Sequence, residues 1–412
     1  MNRVLITGYG AISPYGIGAE KLFAGLFANR SAVVNIRDWL GARAPTFHCQ
    51  VAAPLQESPD PRDVPRTFRR NMGPLAILAY RSCVDAIAHA ALPESALGSP
   101  GFGIVYSSTS GSAEALEESF RAYLAEPSGV LPNSGSFFKI MSHTCTANVA
   151  HALGLRGIAY SVSSACASST QAIGLAYDLL RNGAQEMILC GGSEEMHPLT
   201  VLIFDLLQAA SWKFNDSPSR TPRPFDALRD GTVCGAGAGA LVLETEASAR
   251  RRNARILGEI VGYATNIDPT SMAQSSGESI VACLRAALDD AGIGPEEIDY
   301  VNAHATATLA GDVSEAQAIE KVFGPRVPLS SLKGHMGHTL AAAGVLELIG
   351  SLEMMRRGRL VPSLNLESPC PEAAGLNHVP ASGSDTRIRC FVKNSFAFGG
   401  INAVLVVKEF TE

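Results

Sequence analysis

The run Ser161–Glu194, SVSSACASSTQAIGLAYDLLRNGAQEMILCGGSE, decides how the rest of the chain is read. An apolar stretch from Ile158 to Val162 enters it. A helical pattern leaves it, with Ile173, Ala176, Leu179 and Leu180 at three- and four-residue spacing and Gly183 as the stop. The small-residue turn Ser163-Ser164-Ala165-Cys166-Ala167-Ser168-Ser169 joins the two, so Cys166 sits where a strand hands over to a helix N-terminus. Unpaired backbone N–H groups and the positive helix end favour a thiolate there. Ser and Ala neighbours leave room for a substrate carbonyl, which reads as a nucleophile elbow. Taken alone, the same turn reads equally well as a small core cysteine, the usual fate of a free thiol.

Working outward, strands alternate with helices and end in glycine, the pattern of a layered α/β fold. Val4 to Thr7 is a buried strand ending at Gly8, residues 30 to 70 form a loop-bearing cap, and Leu75 to Ala90 is a helix. A strand at Phe102 to Tyr106 and a helix at Ala113 to Leu124 follow, and beyond the elbow Met187 to Cys190 is a short strand ending in Gly191-Gly192. Gly235-Ala236-Gly237-Ala238-Gly239 resembles a loose dinucleotide fingerprint, but its glycines run directly into β-type sequence, so it reads as a small-residue core strand. The second half repeats the rhythm. Ile256 to Tyr263 is a strand and Glu278 to Ala291 an amphipathic helix stopped by Gly292; Tyr300 to Ala303 is a strand that delivers His304. Helices follow at Glu315 to Phe323 and Thr339 to Met355, with closing strands near Arg389 to Val392 and Val404 to Val407. Two halves of one cadence indicate a duplication.

Composition bounds the function. The 412 residues are 46% hydrophobic and 17% charged, which supplies a large interior. The formal charge of −6, with no basic block beyond short runs such as Arg250-Arg251-Arg252, argues against a nucleic-acid surface. Nine scattered cysteines, odd in number and without a C-x-x-C pair, indicate a reducing compartment. No apolar run reaches the length of a membrane span, and Met1 to Ser13 reads as a first strand and turn, not a signal peptide. The expectation is a soluble cytoplasmic protein.

Strand ends also present His304 and His338, with Lys333 five residues before the latter. His48, His89, His151, His197 and His378 read as ordinary core or surface residues. His338 is placed at the opening of a helix, where the dipole lowers an imidazole's pKa and keeps it a neutral hydrogen-bond donor. His335-x-x-His338 has metal spacing but no evident third ligand. Ser330-Ser331-Leu332-Lys333 fits S-x-x-K, yet follows a strand where a serine acylase needs a helix.

Five motifs now stand in order along nearly the whole chain: Ser164-Ala165-Cys166-Ala167-Ser168; Arg223-Pro224-Phe225-Asp226 with Arg229-Asp230-Gly231; Asn302-Ala303-His304-Ala305-Thr306-Ala307-Thr308; Lys333-Gly334-His335-Met336-Gly337-His338 with Ala341-Ala342-Ala343-Gly344; and Asn394-Ser395-Phe396-Ala397-Phe398-Gly399-Gly400. Together they resemble the β-ketoacyl-acyl-carrier-protein synthases, the elongating type II members of the condensing-enzyme family. The resemblance implies a duplicated thiolase-like fold, α-β-α-β-α in five layers and usually dimeric. Residues 1–250 would form the half with the nucleophile and cap, and 251–412 the half with both catalytic histidines. It implies that Cys166 takes the acyl group from the phosphopantetheine arm of an acyl carrier protein, with no further cofactor and no metal. The N–H groups of Cys166 and Phe398 would form the oxyanion hole. His304 and His338 would stabilise the enolate left when malonyl-carrier loses carbon dioxide. Lys333 would orient His338, Glu315 would support Lys333, and Phe398 would gate the pocket.

Against the family pattern, Ala305 and Ala397 stand for Gly, Ala307 for Ser and Ile401 for Thr, Asp is absent at Ala236, and Thr109 occupies a matching pocket-floor position usually bulkier. A methyl at Ala397 restricts positive φ and with it the gate loop. These changes tilt the expected pathway from fatty-acid elongation towards a specialised type II polyketide or aryl-polyene assembly line. The rivals are a non-catalytic chain-length-factor-like subunit, which usually lacks the cysteine, and a thiolase, which uses a second C-terminal cysteine where this chain has Asn394-Ser395-Phe396. An active partner in a heterodimer with a chain-length-factor-like homologue is the alternative to a homodimer.

Overall fold

In the computed structural model, which describes residues 1–125 and 134–412, ten strands carry the fold. The first half supplies β1 (Val4–Ser13), β2 (Phe102–Ser107), β3 (Ala159–Val162), β4 (Met187–Glu194) and β5 (Gly237–Thr245). The second supplies β6 (Gly258–Ile267), β7 (Tyr300–Asn302), β8 (Pro328–Ser330), β9 (Cys390–Ala397) and β10 (Ile401–Lys408). Neighbours run β3-β2-β4-β5-β1 in one half and β8-β7-β9-β10-β6 in the other. Numbered within its own half, each sheet reads 3-2-4-5-1. In each, strands 3, 2 and 4 are mutually parallel, 5 runs antiparallel to 4, and 1 runs antiparallel to 5. The same topology, made twice, is the duplication that the cadence of the sequence indicates. The sheets join edge to edge where Val4, Leu5 and Ile6 pair antiparallel with Ile260, Glu259 and Gly258.

The helices used below are α1 (Pro74–His89), α2 (Ala113–Ala125), α3 (Gly135–Ile140), α4 (Thr144–Leu153), α5 (Ser168–Arg181), α6 (Pro198–Leu206), α7 (Gly277–Ala291), α8 (Leu309–Phe323) and α9 (Ala343–Arg357). Helices α1 and α4 cover the outer face of the first sheet; α7 covers that of the second, with α8 packed on it. Helices α5 and α9 touch each other between the sheets. Helix α5 meets β2 and β4 on one side and β6 and β10 on the other, while α9 meets β5 and β9. The result is the five-layer, thiolase-like α/β arrangement. One apolar cluster, including Val4, Ile173, Leu180, Leu241, Leu346, Ile349 and Leu405, draws on both halves. Helix α9 is buried on all sides from Ala343 to Met354, as a central-layer helix must be. Among those residues is Glu347, a carboxylate with no water to solvate it.

Two sequence boundaries move. Strand β1 runs through Gly8 to Ser13. A Cβ on Gly10 would lie 2.1 Å from the Ser82 carbonyl oxygen on α1. The glycine therefore lets a helix lie directly on the strand; it does not end it. Strand β4 likewise continues through Gly191 and Gly192 to Glu194.

Candidate active site

Cys166 lies in a single 3-10 turn, Ala165–Ala167, between β3 and α5. The chain makes that corner with Ala165 at φ 44°, a left-handed conformation that costs a non-glycine residue about 1–2 kcal/mol. The Ser168 hydroxyl braces the corner, accepting from Ser164 N at 2.8 Å and donating to the Ala165 carbonyl at 2.6 Å. Cys166 thus stands two residues before the first residue of the helix and is nearly buried. Burial pushes its thiol up to about 12, with Lys333 opposing and Glu194 adding to the rise. The expectation of a resting thiolate is overturned: desolvation outweighs the helix end. The sulfur does lie against two backbone N–H groups, its own and that of Phe398.

His304 stands just past β7. The Glu315 carboxylate, on α8, pins this corner by accepting from His304 N at 2.8 Å, Ala305 N at 2.6 Å and Asn394 Nδ2 at 3.0 Å. Glu315 therefore supports His304 and not, by any direct bond, Lys333. His338 follows a short helix, Lys333–Met336, and Gly337 at φ 67°. Its backbone is held on both sides, N–H to Val233 O at 2.7 Å and C=O from Gly235 N at 2.9 Å. A 3-10 turn, Leu340–Ala342, separates it from α9, so it does not open that helix. Its imidazole, like that of His304, is nonetheless held well below the ordinary histidine range. Burial is the chief cause, then the positive charge of Lys333, with Lys393 contributing to both. The neutral imidazole expected at His338 from a helix dipole is produced instead by desolvation and two ammonium groups, which act on His304 as well.

These three side chains meet. The Cys166 sulfur and one ring nitrogen from each histidine all lie within 4.8 Å of one another. His304 Nδ1 and both ring nitrogens of His338 are buried without a hydrogen-bond partner. A thiol and two imidazoles is also a zinc ligand set. Here the two lysine charges that depress both histidines would repel a divalent cation. A cavity of about 440 Å³ reaches the trio from outside, its walls including Phe204, Met272, Thr306 and Phe398. Phe398 stacks on Phe204 with ring centroids 5.6 Å apart.

Residues 1–249 match the N-terminal domain of β-ketoacyl synthases and residues 257–367 the C-terminal domain. The chain belongs to the β-ketoacyl synthase family. Over its full length it is 36% identical to 3-oxoacyl-[acyl-carrier-protein] synthase 1 of Escherichia coli K12, which it also covers completely. Among solved structures it resembles a β-ketoacyl synthase from Burkholderia phymatum STM815, with 40% identity, a TM-score of 0.95 and full coverage of both chains. It also resembles, at 26% identity, TM-score 0.91 and full coverage of both chains, a type II polyketide complex, AntDE:AntF, of an acyl-carrier protein with its ketosynthase bound to the hexaketide. Membership makes the chain a condensing acyltransferase.

Two further expectations for this ketosynthase are corrected by its geometry, and a third residue is placed by it. Lys333 Nζ donates to Glu347 Oε1 at 2.6 Å and makes no hydrogen bond to His338; its influence on the imidazole is electrostatic. Ala397 remains in β9, paired with Ile401, and the positive φ angles fall on Gly399 and Gly400 at 90° and 75°. The methyl at Ala397 therefore imposes no strain on the gate loop. Thr109 does not line the cavity that holds Cys166; its hydroxyl donates to Glu194 Oε1 at 2.8 Å and its carbonyl accepts from Ser163 Oγ. Glu347, Lys393 and Glu194 were absent from the sequence reading. A lone acid inside the apolar Val345-Leu346-Glu347-Leu348-Ile349 and a lone lysine after Cys390-Phe391-Val392 are the signals that could have exposed the first two.

Proposed function

We propose that this chain is a β-ketoacyl-acyl-carrier-protein synthase that forms a carbon–carbon bond by decarboxylative Claisen condensation. The observation that carries the reading is the ring of bare imidazole nitrogens around a thiol at the end of a cavity. Buried polar atoms without partners are costly unless a substrate completes them. In the first step Cys166 Sγ attacks the acyl thioester of a pantetheine-borne chain. The carbonyl oxygen turns anionic against the N–H groups of Cys166 and Phe398, and the thiol proton leaves with the departing pantetheine thiolate.

Malonyl-carrier then enters the vacated cavity. Its carbon–carbon bond to the carboxylate breaks and releases carbon dioxide. The electron pair becomes an enolate whose oxygen faces His304 and His338, both neutral and able to donate. The enolate carbon attacks acyl-Cys166, the sulfur departs and takes up a proton, and the β-ketoacyl product leaves on the carrier. Splitting the reaction through an acyl-enzyme replaces one hard encounter with two easier steps. Incubation with acyl- and malonyl-carrier, followed by mass spectrometry of the carrier, tests this; no two-carbon extension together with no carbon dioxide release defeats it.

For pathway, general fatty-acid elongation is supported by the curated relative's name. The specialised polyketide or aryl-polyene reading has the polyketide ketosynthase likeness in its favour, but has lost its gate-strain argument now that Ala397 lies in a strand. Parallel assays with saturated and polyenoic acyl carriers separate the two. A non-catalytic chain-length-factor-like role is disfavoured by the assembled trio. For assembly, we infer a second copy or a homologous subunit at the β3 edge. That strand bonds only β2 among the described residues and exposes Tyr160, while α2 and α3 expose Phe120, Phe137 and Phe138.

A further inference from the structure

Lys393 sits in the middle of β9, fully buried, in parallel register with Asn302 two residues before His304. Its ammonium lies 2.9 Å from Glu347 Oε2, an ion pair more than a directed hydrogen bond. It also donates to the Asn394 carbonyl and, at 3.2 Å, to Ser395 Oγ. The other oxygen of the same carboxylate holds Lys333 at 2.6 Å, and none of the three side chains touches water. One buried anion thus faces two buried cations.

A second lysine is not needed to neutralise Glu347; Lys333 alone would do so. Its presence adds a positive charge that Glu347 alone does not balance; burial lowers the Lys393 pKa and the Glu347 carboxylate opposes that, in a medium where fields carry far further than in water. The titratable groups facing this trio are His304 and His338, both neutral, Cys166, Tyr300, and the Glu315 carboxylate, which also accepts from three N–H donors. Both lysines act on both imidazoles. His304 and His338 line the cavity, whereas neither lysine does.

We propose that Lys393 is a positioning residue for the decarboxylation step. By sharing Glu347 it leaves the charge of Lys333 unspent, so that a net positive field stands behind His304 and His338 where the enolate develops. It does not touch substrate. Acyl transfer to Cys166 uses the backbone N–H groups of Cys166 and Phe398 and is largely indifferent to it.

The inference rests on the condensing reading, and one experiment separates the two. Carbon dioxide release from malonyl-carrier and acylation of Cys166 are measured separately in wild type, Lys393→Met and Lys393→Met/Glu347→Gln. The double variant restores the single excess charge by removing one cation and the anion together, and leaves an amide oxygen for Lys333. Expected for Lys393→Met is a loss of about tenfold in carbon dioxide release with acylation within about twofold of wild type. Recovery of release to within about threefold is expected in the double variant. Should the single variant fail to fold, with an unmatched carboxylate in the core, the double variant alone decides: release below about a tenth of wild type overturns the proposal. It is equally overturned if Lys393→Met leaves release unchanged, if both steps fall in parallel, or if the double variant is no better than the single. No release by wild type refutes the condensing reading instead.

Discussion

The rings of His304 and His338 meet edge to face, their centroids 5.3 Å apart and their planes at 83°. They come from different loops of the second half, and each is fixed by its own backbone, so the side chains need no partner to hold their places. That leaves their nitrogens free for a transient anion. His304→Ala and His338→Ala should each reduce carbon dioxide release from malonyl-carrier by about 10²–10³-fold, the range for losing one donor to a developing oxyanion. Unchanged release in either variant removes that ring from the mechanism.

Cys166→Ala should abolish condensation, by at least about 10³-fold, with no loss of thermal stability beyond a degree or two. Cys166→Gln should keep releasing carbon dioxide, since a neutral amide occupies the place of the acylated sulfur. Gas release and melting temperature, measured on the same preparations, check both.

Neutral histidines set the acid limb of activity. Both are depressed far below 6.5, so their donor form survives as pH falls through that value, where an ordinary histidine would be half protonated. Carbon dioxide release should show no histidine-like loss between pH 7.5 and 6. An inflection near 6.5, after correction for unfolding, contradicts this. The same depression has a stability consequence with a definite sign. Below about 6.5 the unfolded chain binds protons that the folded rings refuse, so these groups cost stability as pH falls.

Glu194 behaves in the opposite sense. Burial pushes its carboxyl up to about 7, and its charge raises the Cys166 thiol. Between about 4.5 and 7 the folded chain holds a proton that the unfolded chain has released, so stability from this group falls as pH rises. Glu194→Gln should melt increasingly higher than wild type as pH goes from 5 to 8, and should alkylate faster at Cys166 with iodoacetamide at pH 8. A melting difference that shrinks with pH would count against the assignment.

Glu315→Ala would strip three buried donors of their acceptor, at about 1–3 kcal/mol apiece before relaxation. Glu315→Gln keeps one accepting oxygen and should lose less. Denaturant midpoints should rank wild type, Gln, Ala, with carbon dioxide release following the same order because His304 rides on that corner.

The layered α/β class and the duplication were legible because each half carries its own strand–helix cadence, the five-layer order only through the family resemblance, and Cys166, His304 and His338 were legible because each stands at a junction between elements among small residues. What was not legible depended on distance. Lys333 reads as a partner for His338 by nearness in sequence, yet its partner is Glu347, fourteen residues on and one helix away. Gly8 and Gly191 read as strand ends because the helix and strand that press on them are remote in sequence. The state of the thiol is hidden for a similar reason: a helix end is visible in a sequence, whereas the desolvation that outweighs it is not.

The matched topology of the halves hides an unequal inheritance. The loop after β3 delivers the sulfur, while its counterpart after β8 delivers Lys333 and His338; the loop after β7 delivers His304, while its counterpart after β2 opens with Ser108 and Thr109. Corresponding corners of one ancestral plan have taken up complementary halves of a single reaction. A polypeptide severed between Thr245 and Gly258 would yield one fragment with a nucleophile and no proton-donating rings, and another with the rings and nothing to acylate. Turnover is therefore a property of the fused pair, which gives selection a reason to keep the two copies in one chain.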